Sequence, residues 1–253
     1  MSGDLTLTLP DGARIVVPDD LRINSSYVLQ EQQDWFEDEI RFLRVALQPG
    51  LRAIDAGANF GVYTLSLAQR AGTGGRVWAI EPGEQAANYL ERSVAANGYP
   101  HVDVVRCALS AADGSGFLQT GITPELRRLV RDDSSAAVPV RSLDSLATER
   151  GIDRVDFVKI DVEGAEARVI AGAATVLRSM RPILLLEVND KALRAQGNCA
   201  DSLIGTLRGE LSYEIFVFSP VTGLLEAPRD GDPLSANVVA IPSERVADTV
   251  TAR

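Results

Sequence analysis

The chain has 253 residues, of which 45% are apolar and 24% are charged, a composition typical of a globular protein with a sizeable core. Its net charge of −10 means that a polyanion such as nucleic acid would be repelled from most of the surface. No apolar run approaches the roughly 20 residues that span a bilayer, and the N-terminus lacks the pattern of a signal peptide. Cys107 and Cys199 are too few for a disulfide framework or a cysteine-based zinc site. We therefore expect a cytoplasmic protein that binds neither nucleic acid nor membranes.

The first 50 residues form an N-terminal region of their own in this interpretation. Residues 4–17 alternate apolar and polar side chains about a Pro-Asp-Gly turn, which predicts a half-exposed hairpin. Residues 24–47 have helix-like apolar spacing that ends before Pro49-Gly50, which predicts one or two amphipathic helices. We assign residues 1–50 to a hairpin and helical cap, and residues 51–253 to the main domain.

From Leu51 onward, short apolar runs alternate with helical stretches, as in βαβ units of a parallel sheet. We expect helices near residues 61–71, 84–97, 143–149, 164–179 and 200–209. The expected strands are residues 51–56, 76–81, 102–106, 155–161 and 182–188, with a closing pair at 213–218 and 237–241.

Residues 107–141 interrupt this rhythm because they are too long for a simple connection between strands. Long insertions at strand ends often shape a substrate site, so the segment is either a lid or an inert surface excursion. Within it, residues 124–131 carry three arginines and are expected to form a short helix with a solvated basic face.

The loop that joins the first main strand to its helix, residues 55–61, is the strongest candidate for a cofactor site. Ligands of open parallel sheets bind at the carboxyl ends of strands, beside such loops. Gly57 and Gly61 permit tight turns and close approach of a ligand. The helix that follows presents unpaired N–H groups that hold a carboxylate. We expect the loop, including Asn59, to contact the cofactor.

The residues of this loop also narrow the choice of cofactor. The dinucleotide pattern Gly-x-Gly-x-x-Gly fails, because Asn59 and Val62 stand where the later glycines belong. The phosphate-binding string that ends in Gly-Lys-Ser/Thr is absent as well. Asp55, at the strand end, suits a ligand that carries an ammonium group there, as S-adenosylmethionine does.

Two later strand ends complete the predicted cofactor site. Glu81 ends the second main strand, where a carboxylate accepts hydrogen bonds from both hydroxyls of a ribose. Ala108 follows the third strand and is a small residue that we expect to flank the adenine.

The fourth main strand carries charges in an otherwise apolar run. Alternation turns Lys159 and Asp161 towards the same face, and a buried charge needs a partner. A site role for Asp161 and a purely structural pair between Lys159 and a carboxylate both satisfy this need. Glu163 and Glu166 open the next helix, where acids are favourable, and this accounts for Glu166.

Three blocks of sequence, residues 54–64, 77–82 and 158–166, resemble the FkbM-type S-adenosylmethionine-dependent methyltransferases in order and spacing. Residues 142–146 stand where that family has a Thr-Leu-Asp segment, and the resemblance covers residues 27–241. It implies a Rossmann-like class I methyltransferase fold of the α/β class, with a seven-stranded, mostly parallel sheet whose last strand is antiparallel. It also implies S-adenosylmethionine as cofactor and methylation of a hydroxyl on a sugar, glycan or secondary metabolite.

Methyl transfer to a hydroxyl requires alignment of the two substrates and removal of a proton. We expect Asp161 to be the base or to organise the site, and to line the cofactor pocket, with Glu163 and Glu187 as second candidates. His101, the only histidine, lies in a turn before a strand and so at the opposite edge of the sheet. We expect no metal, although Asp161, Glu187 and Asn189 offer the oxygen ligands that Mg²⁺ prefers.

Two other functional classes share this fold. A binding or scaffold protein would keep the site for S-adenosylmethionine without activity, and a nicotinamide oxidoreductase would need the dinucleotide glycines that are missing here. The acceptor and the oligomeric state are not determined by any motif in the sequence.

Overall fold

A computed structural model describes residues 3–119, 128–130, 136–228 and 236–250 of the chain. The chain divides into two compact units. The first comprises Met1–Ala108 and Ser115–Pro139, and the second comprises Leu109–Gly114 and Val140–Arg253.

The first unit begins with the predicted hairpin. Strands β1 (Asp4–Thr8) and β2 (Arg14–Pro18) pair antiparallel, with Leu7 opposite Ile15. Asp11 stabilises the turn because its carboxylate accepts a hydrogen bond of 3.2 Å from the backbone N–H of Ala13. Two helices follow, α1 (Asn24–Gln32) and α2 (Asp38–Ala46). The hairpin and the helical prediction for residues 24–47 are confirmed.

Three parallel strands lie next to one another in this unit, in the order β3–β4–β5. Their bounds are β3 (Arg52–Ala56), β4 (Arg76–Ile80) and β5 (Val102–Val105), and their connections contain helices α3 (Val62–Ala71) and α4 (Glu84–Asn97). Four consecutive residues of β3 and of β4 are buried, as expected of strands covered on both faces. The carboxyl ends of β3 and β4 therefore lie at the same edge.

Short strands occupy much of the segment after β5. They are β6 (Ala108–Leu109), β7 (Gly114–Leu118), β8 (Leu129–Val130) and β9 (Ala136–Arg141). β7 and β8 pair antiparallel, with Phe117 opposite Val130. The helix expected over residues 124–131 is therefore wrong at residues 129–130, where strand pairing takes the place of helical hydrogen bonds. Residues 124–127 and 131 of this expected helix, and residues 120–127 and 131–135 of the candidate lid, lie outside the described residues.

The second unit contains the remaining helices and strands. In chain order they are α5 (Leu143–Glu149), β10 (Phe157–Ile160), α6 (Glu166–Ala171), α7 (Ala174–Met180), β11 (Ile183–Glu187), α8 (Asp190–Ala195), α9 (Ala200–Gly205), a π-helical turn (Thr206–Glu210), β12 (Tyr213–Phe218), β13 (Leu225–Glu226), β14 (Asn237–Pro242), a 3₁₀ turn (Ser243–Arg245) and α10 (Val246–Val250). Within the described ranges, no helix is both long enough and apolar enough to cross a bilayer.

Strand directions in the second unit are mixed. β10 and β11 are parallel, with Ile160 opposite Leu186. β14, the last long strand of the chain, runs antiparallel to β11, with Val239 opposite Leu185. β12 pairs antiparallel with β14 on its other side. The prediction of an antiparallel last strand is confirmed.

The single helix expected over residues 164–179 is divided into α6 and α7. The first part ends at Gly172, and the side chain of Asp144 caps the start of the second part. The carboxylate of Asp144 accepts hydrogen bonds from the backbone N–H groups of Thr175 at 2.8 Å and Val176 at 2.9 Å. This cap lies more than 30 residues away in sequence, so the break is not visible in the local pattern.

Gly172 is required for close packing, because a Cβ atom there would lie 2.2 Å from the carbonyl oxygen of Ser110. We expect Gly172→Ala to lower the free energy of unfolding in urea by about 2 kcal/mol, as overpacking does. Gly205→Ala is the matched control, since nothing lies within 4 Å of the added methyl group. Equal unfolding midpoints for the two variants would contradict this account of the packing.

Candidate active site

The loop after β3 is fixed by hydrogen bonds on both sides. Asp55 is fully buried, and its carboxylate accepts a hydrogen bond of 2.6 Å from the hydroxyl of Thr64, in the first turn of α3. The backbone N–H groups of Gly57 and Ala58 both donate to the carbonyl of Ile80, at 3.0 and 3.1 Å. Strand β4 therefore holds the start of the loop, and Asp55 holds helix α3 against the end of β3.

Gly61 occupies the end of this loop with a φ of +100°, a conformation that favours glycine. A Cβ atom at this position would also lie 2.6 Å from Cδ1 of Leu90 in α4. The glycine thus allows α3 to begin directly after a left-handed turn. The first N–H groups of this helix lie beside the loop, as the sequence predicts for a cofactor site.

Glu81 connects the loops that follow β3 and β4. Its Oε2 accepts a hydrogen bond of 2.8 Å from the backbone N–H of Asn59, and its Oε1 accepts one of 2.7 Å from Gly83. The side chain is buried, with 8% of its surface exposed. A carboxylate has about four acceptor positions, which suits this group to neighbouring hydroxyls of a ligand.

The side-chain oxygen of Asn59 is a buried hydrogen-bond acceptor. This Oδ1 atom has no hydrogen-bond partner within the part of the chain that the structure describes. Buried polar atoms are almost always hydrogen-bonded, so an unused acceptor here fits a ligand that brings a donor. The donor groups of S-adenosylmethionine, an ammonium and two ribose hydroxyls, meet this requirement.

Five of the predicted cofactor residues come together in this arrangement: Asp55, Gly57, Asn59, Gly61 and Glu81. Ala108 lies after β5, where it is buried as the first residue of β6. The neighbouring Arg106 binds Glu91 of α4 with its guanidinium, at 2.8 Å.

His101 lies at the amino end of the strands, as the sequence predicts. Its backbone carbonyl accepts a hydrogen bond of 2.9 Å from the N–H of Val77, near the start of β4. Its buried side chain places Nε2 3.0 Å from the carbonyl oxygen of Ala68. This position excludes His101 from the edge that carries the loop of Gly57 and Glu81.

In the second unit, the charged residues of β10 form an ion pair. Lys159 is buried, and its Nζ lies 3.0 Å from Oδ2 of Asp161, whose side chain is 40% exposed. The structural alternative for Lys159, a pair with a carboxylate, is therefore confirmed. The pair leaves Asp161 at the end of β10, facing the turn that leads into α6.

Glu166 is a buried carboxyl group rather than an exposed acid at a helix start. Its Oε1 accepts hydrogen bonds of 3.1 Å from the backbone N–H groups of both Val162 and Gly164. Burial raises the pKa of Glu166, while these hydrogen bonds oppose the increase. The side chain shapes the turn in which Glu163 adopts a φ of +56°.

Glu187 ends β11, next to the end of β10. Its Oε2 is buried and lacks a hydrogen-bond partner among the residues with described positions. Burial, followed by the charges of Asp161, Glu163 and Glu166, raises the pKa of Glu187 to about 8, and Lys159 opposes this effect. Two of the predicted catalytic carboxylates, Asp161 and Glu163, thus act on the third, Glu187.

Asn189 has a structural role. Its side chain caps α8 by accepting a hydrogen bond of 3.2 Å from the N–H of Ala192. Across the described parts of the chain, no group of three or more histidine, cysteine or acidic residues is arranged to hold a metal ion. The cap alone accounts for the position of Asn189 at the start of α8.

Glu37 ties the N-terminal region to the first turn of α3. Its Oε2 accepts a hydrogen bond of 2.8 Å from the indole N–H of Trp35 and a short one from the hydroxyl of Tyr63. Residues 27–39 are similar to an N-terminal helix segment that could cover the cofactor in part of the family, but their acids also suit a solvated helix face. The sequence therefore did not single out Glu37.

The pKa of Glu187 predicts a pH-dependent stability. An unfolded chain releases this proton near pH 4.5, whereas the folded protein keeps it until about pH 8. The contribution of this group is therefore full below pH 4.5 and is lost as the pH rises to about 8. In urea titrations between pH 5 and 8, we expect Glu187→Gln to gain stability relative to the wild type by at most about 1.4 kcal/mol per pH unit. Glu210→Gln, an exposed control, should follow the wild type, and parallel curves for E187Q would refute the assignment.

Known proteins show the same sequence pattern and the same fold. Residues 55–215 match the family model described as the methyltransferase FkbM domain. The 31-O-demethyl-FK506 methyltransferase FkbM of Streptomyces tacrolimicus is 30% identical over 207 residues, which cover 66% of this chain and 75% of that protein. The AMB antimetabolite synthetase AmbE of Pseudomonas aeruginosa is 29% identical over 81% of this chain, and the chain spans only 11% of the synthetase.

A crystal structure of an O-methyltransferase from Bacillus cereus in complex with SAH has a TM-score of 0.51 and 18% sequence identity, covering 89% of this chain and 92% of that one. This similarity shows the fold, which is the class I methyltransferase fold that the sequence predicts. The matched residues contain Asp55, Gly57, Asn59, Gly61 and Glu81, and they confirm S-adenosylmethionine as the cofactor. Since the family model matches more than half of the chain, the chain belongs to the FkbM methyltransferase family.

Proposed function

We propose that the protein transfers a methyl group from S-adenosylmethionine to a hydroxyl of a sugar, glycan or secondary metabolite. The observation that carries the proposal is the buried carboxylate of Glu81, which joins the loops after β3 and β4 beside the Oδ1 of Asn59, an acceptor without a partner among the described residues. This combination suits a ligand with several neighbouring donors, as the ribose and ammonium of S-adenosylmethionine provide.

Each residue of the loop has a distinct part in donor binding under this proposal. Glu81 accepts hydrogen bonds from the ribose hydroxyls, and Asn59 accepts one from the methionine part. The N–H groups at the start of α3 hold the carboxylate, with Gly57 and Gly61 allowing its close approach. Asp55 is buried and favours a cation nearby through its charge, and Ala108 flanks the adenine.

A hydroxyl acceptor is supported by the relative from Streptomyces tacrolimicus, whose name describes an O-methylation. The net charge of −10 disfavours nucleic acid as the acceptor. S-adenosylmethionine supplies an activated methyl group, so the protein must align the acceptor and take its proton. We propose that the carboxylates at the ends of β10 and β11, Asp161, Glu163 and Glu187, serve the second purpose.

The alternatives predict different ligands. A non-catalytic binding or scaffold protein would bind S-adenosylmethionine and transfer no methyl group. A nicotinamide oxidoreductase is disfavoured, because Asn59 and Val62 replace the dinucleotide glycines and the chain belongs to a methyltransferase family. The division into a cap of residues 1–50 and a methyltransferase domain, and a cytoplasmic location, remain part of the proposal.

Isothermal titration tests the donor site directly. We expect the wild type to bind S-adenosylmethionine and its demethylated product but not NAD. Glu81→Gln should weaken binding of the product by tenfold or more, because loss of charge-assisted hydrogen bonds costs roughly 1.5–3 kcal/mol. Glu84→Ala, an exposed acid in the first turn of α4, is the control and should bind as the wild type does. A wild type that releases no heat with either ligand would refute the proposal.

Labelled methyl transfer tests the acceptor class. We expect tritium from the methyl donor to appear in hydroxyl groups of pooled sugars, glycans and metabolites. Label in RNA or protein would refute the proposed acceptor class while leaving the donor site in place. Binding of the donor without any transfer would favour the scaffold alternative.

A further inference from the structure

We propose that Glu187, rather than Asp161, takes the proton of the acceptor hydroxyl, and that Lys159 and Asp161 act as positioning residues around it. This inference rests on the proposed function, because it concerns the proton that methyl transfer to a hydroxyl releases. All of the residues involved belong to the second unit.

The register of β10 and β11 brings the two candidates to the same edge. Ile160 lies opposite Leu186, so Asp161 and Glu187 are the next residues along two paired parallel strands. In a parallel pair, residues at matching positions point to the same side of the sheet. Asp161 and Glu187 therefore compete for the same role, and their surroundings decide between them.

Asp161 already has a partner. Its Oδ2 accepts a hydrogen bond of 3.0 Å from the ammonium of Lys159, which is buried. A buried cation needs negative charge beside it, and a proton placed on Asp161 would remove such a charge. This pairing suits Asp161 to a positioning role.

Glu187 is in the opposite situation. Its Oε2 is buried and has no hydrogen-bond partner within the described ranges, whereas the side chain as a whole is only half-buried. Glu166 cannot compensate, because its Oε1 bonds the turn before α6 and its buried Oε2 also lacks a partner in the described chain. Glu187 is thus a half-buried residue whose carboxylate is poorly stabilised as an anion.

The charged residues that act on Glu187 lie on β10, in the turn after it and at the start of α6. Asp161, Glu163 and Glu166 disfavour its ionised form, and Lys159 favours it. The resulting pKa of about 8 lies close to neutral pH. A general base with such a pKa is partly ionised at neutral pH and still binds a proton strongly. Removal of a negative neighbour would lower this pKa, and removal of Lys159 would raise it.

The proton balance of the step is simple. The hydroxyl oxygen forms a bond to the methyl carbon as the carbon–sulfur bond breaks, and the electron pair of that bond stays on sulfur. The sulfonium becomes a neutral thioether, and the hydroxyl proton moves to the carboxylate of Glu187. Glu187 then returns this proton to solvent before the next turnover. No oxidant, reductant or metal is needed.

The test measures initial rates of tritiated-methyl transfer to the pooled acceptors, at saturating S-adenosylmethionine, between pH 6 and 9. The wild-type rate should rise tenfold per pH unit and level off above about pH 8. Glu187→Gln should lose at least 100-fold in rate and most of the pH dependence. Glu210→Gln, an acid on the π-helical turn outside the group, is the matched control and should retain the wild-type profile.

Two variants separate a positioning role from a purely structural one. Asp161→Asn should move the midpoint of the profile to lower pH, because one negative neighbour of Glu187 is lost. Lys159→Met should move the midpoint to higher pH. A structural defect alone would lower the rate without moving the midpoint in these opposite directions.

The outcomes distinguish this inference from the proposed function. Product binding within twofold of the wild type shows that E187Q is folded and retains the donor site. A wild type that transfers no label overturns both proposals. Transfer by E187Q within threefold of the wild-type rate, or a greater loss in D161N than in E187Q, overturns the assignment of Glu187 alone.

Discussion

The buried carboxylate of Glu81 is the interaction on which the cofactor site depends. It accepts hydrogen bonds from the backbone N–H of Asn59 in one loop and from that of Gly83 in the next. A single side chain therefore sets the spacing of two strand ends. Loop backbones need such partners, because they lack the regular hydrogen bonds of helices and strands. Asp55 and Thr64 extend the same principle to the start of α3. The loop is thus held in shape before any ligand arrives, and the ordering cost of binding is reduced.

The sequence predicted the parts of the fold that local patterns determine. Apolar runs located β3, β4, β10 and β11, and the residue types at their ends identified Asp55, Glu81 and Asp161 before their positions were known. Contacts between distant segments were not predictable in this way. The division between α6 and α7 depends on the carboxylate of Asp144, and residues 129–130 pair with β7 although their arginine-rich surroundings suggest a helix. Tertiary contacts of this kind override local propensity.

The link through Glu37 shows the same limit in the site itself. Trp35 and Tyr63 are 28 positions apart, and only the folded chain reveals that both donate to one carboxylate oxygen. A second chain of contacts runs from Asp34 through Arg44 to Asp11, which also accepts a hydrogen bond of 2.6 Å from Ser66 of α3. Helix α3 is therefore attached to the N-terminal region at two points along its length. A movement of its first turn would therefore displace the segment around Trp35.

Two acids at the ends of parallel strands, Glu81 and Glu187, differ in how their oxygens are satisfied. Both oxygens of Glu81 accept backbone N–H donors, so its carboxylate is stabilised and serves as a fixed part of a binding site. Burial and the neighbouring acids destabilise the charge of Glu187 and raise its pKa to about 8. Burial alone does not separate the two acids, since Glu81 is more buried than Glu187. What distinguishes a structural carboxylate from a reactive one here is the supply of donors, and that supply is set by neighbouring strands rather than by the motif that contains the acid.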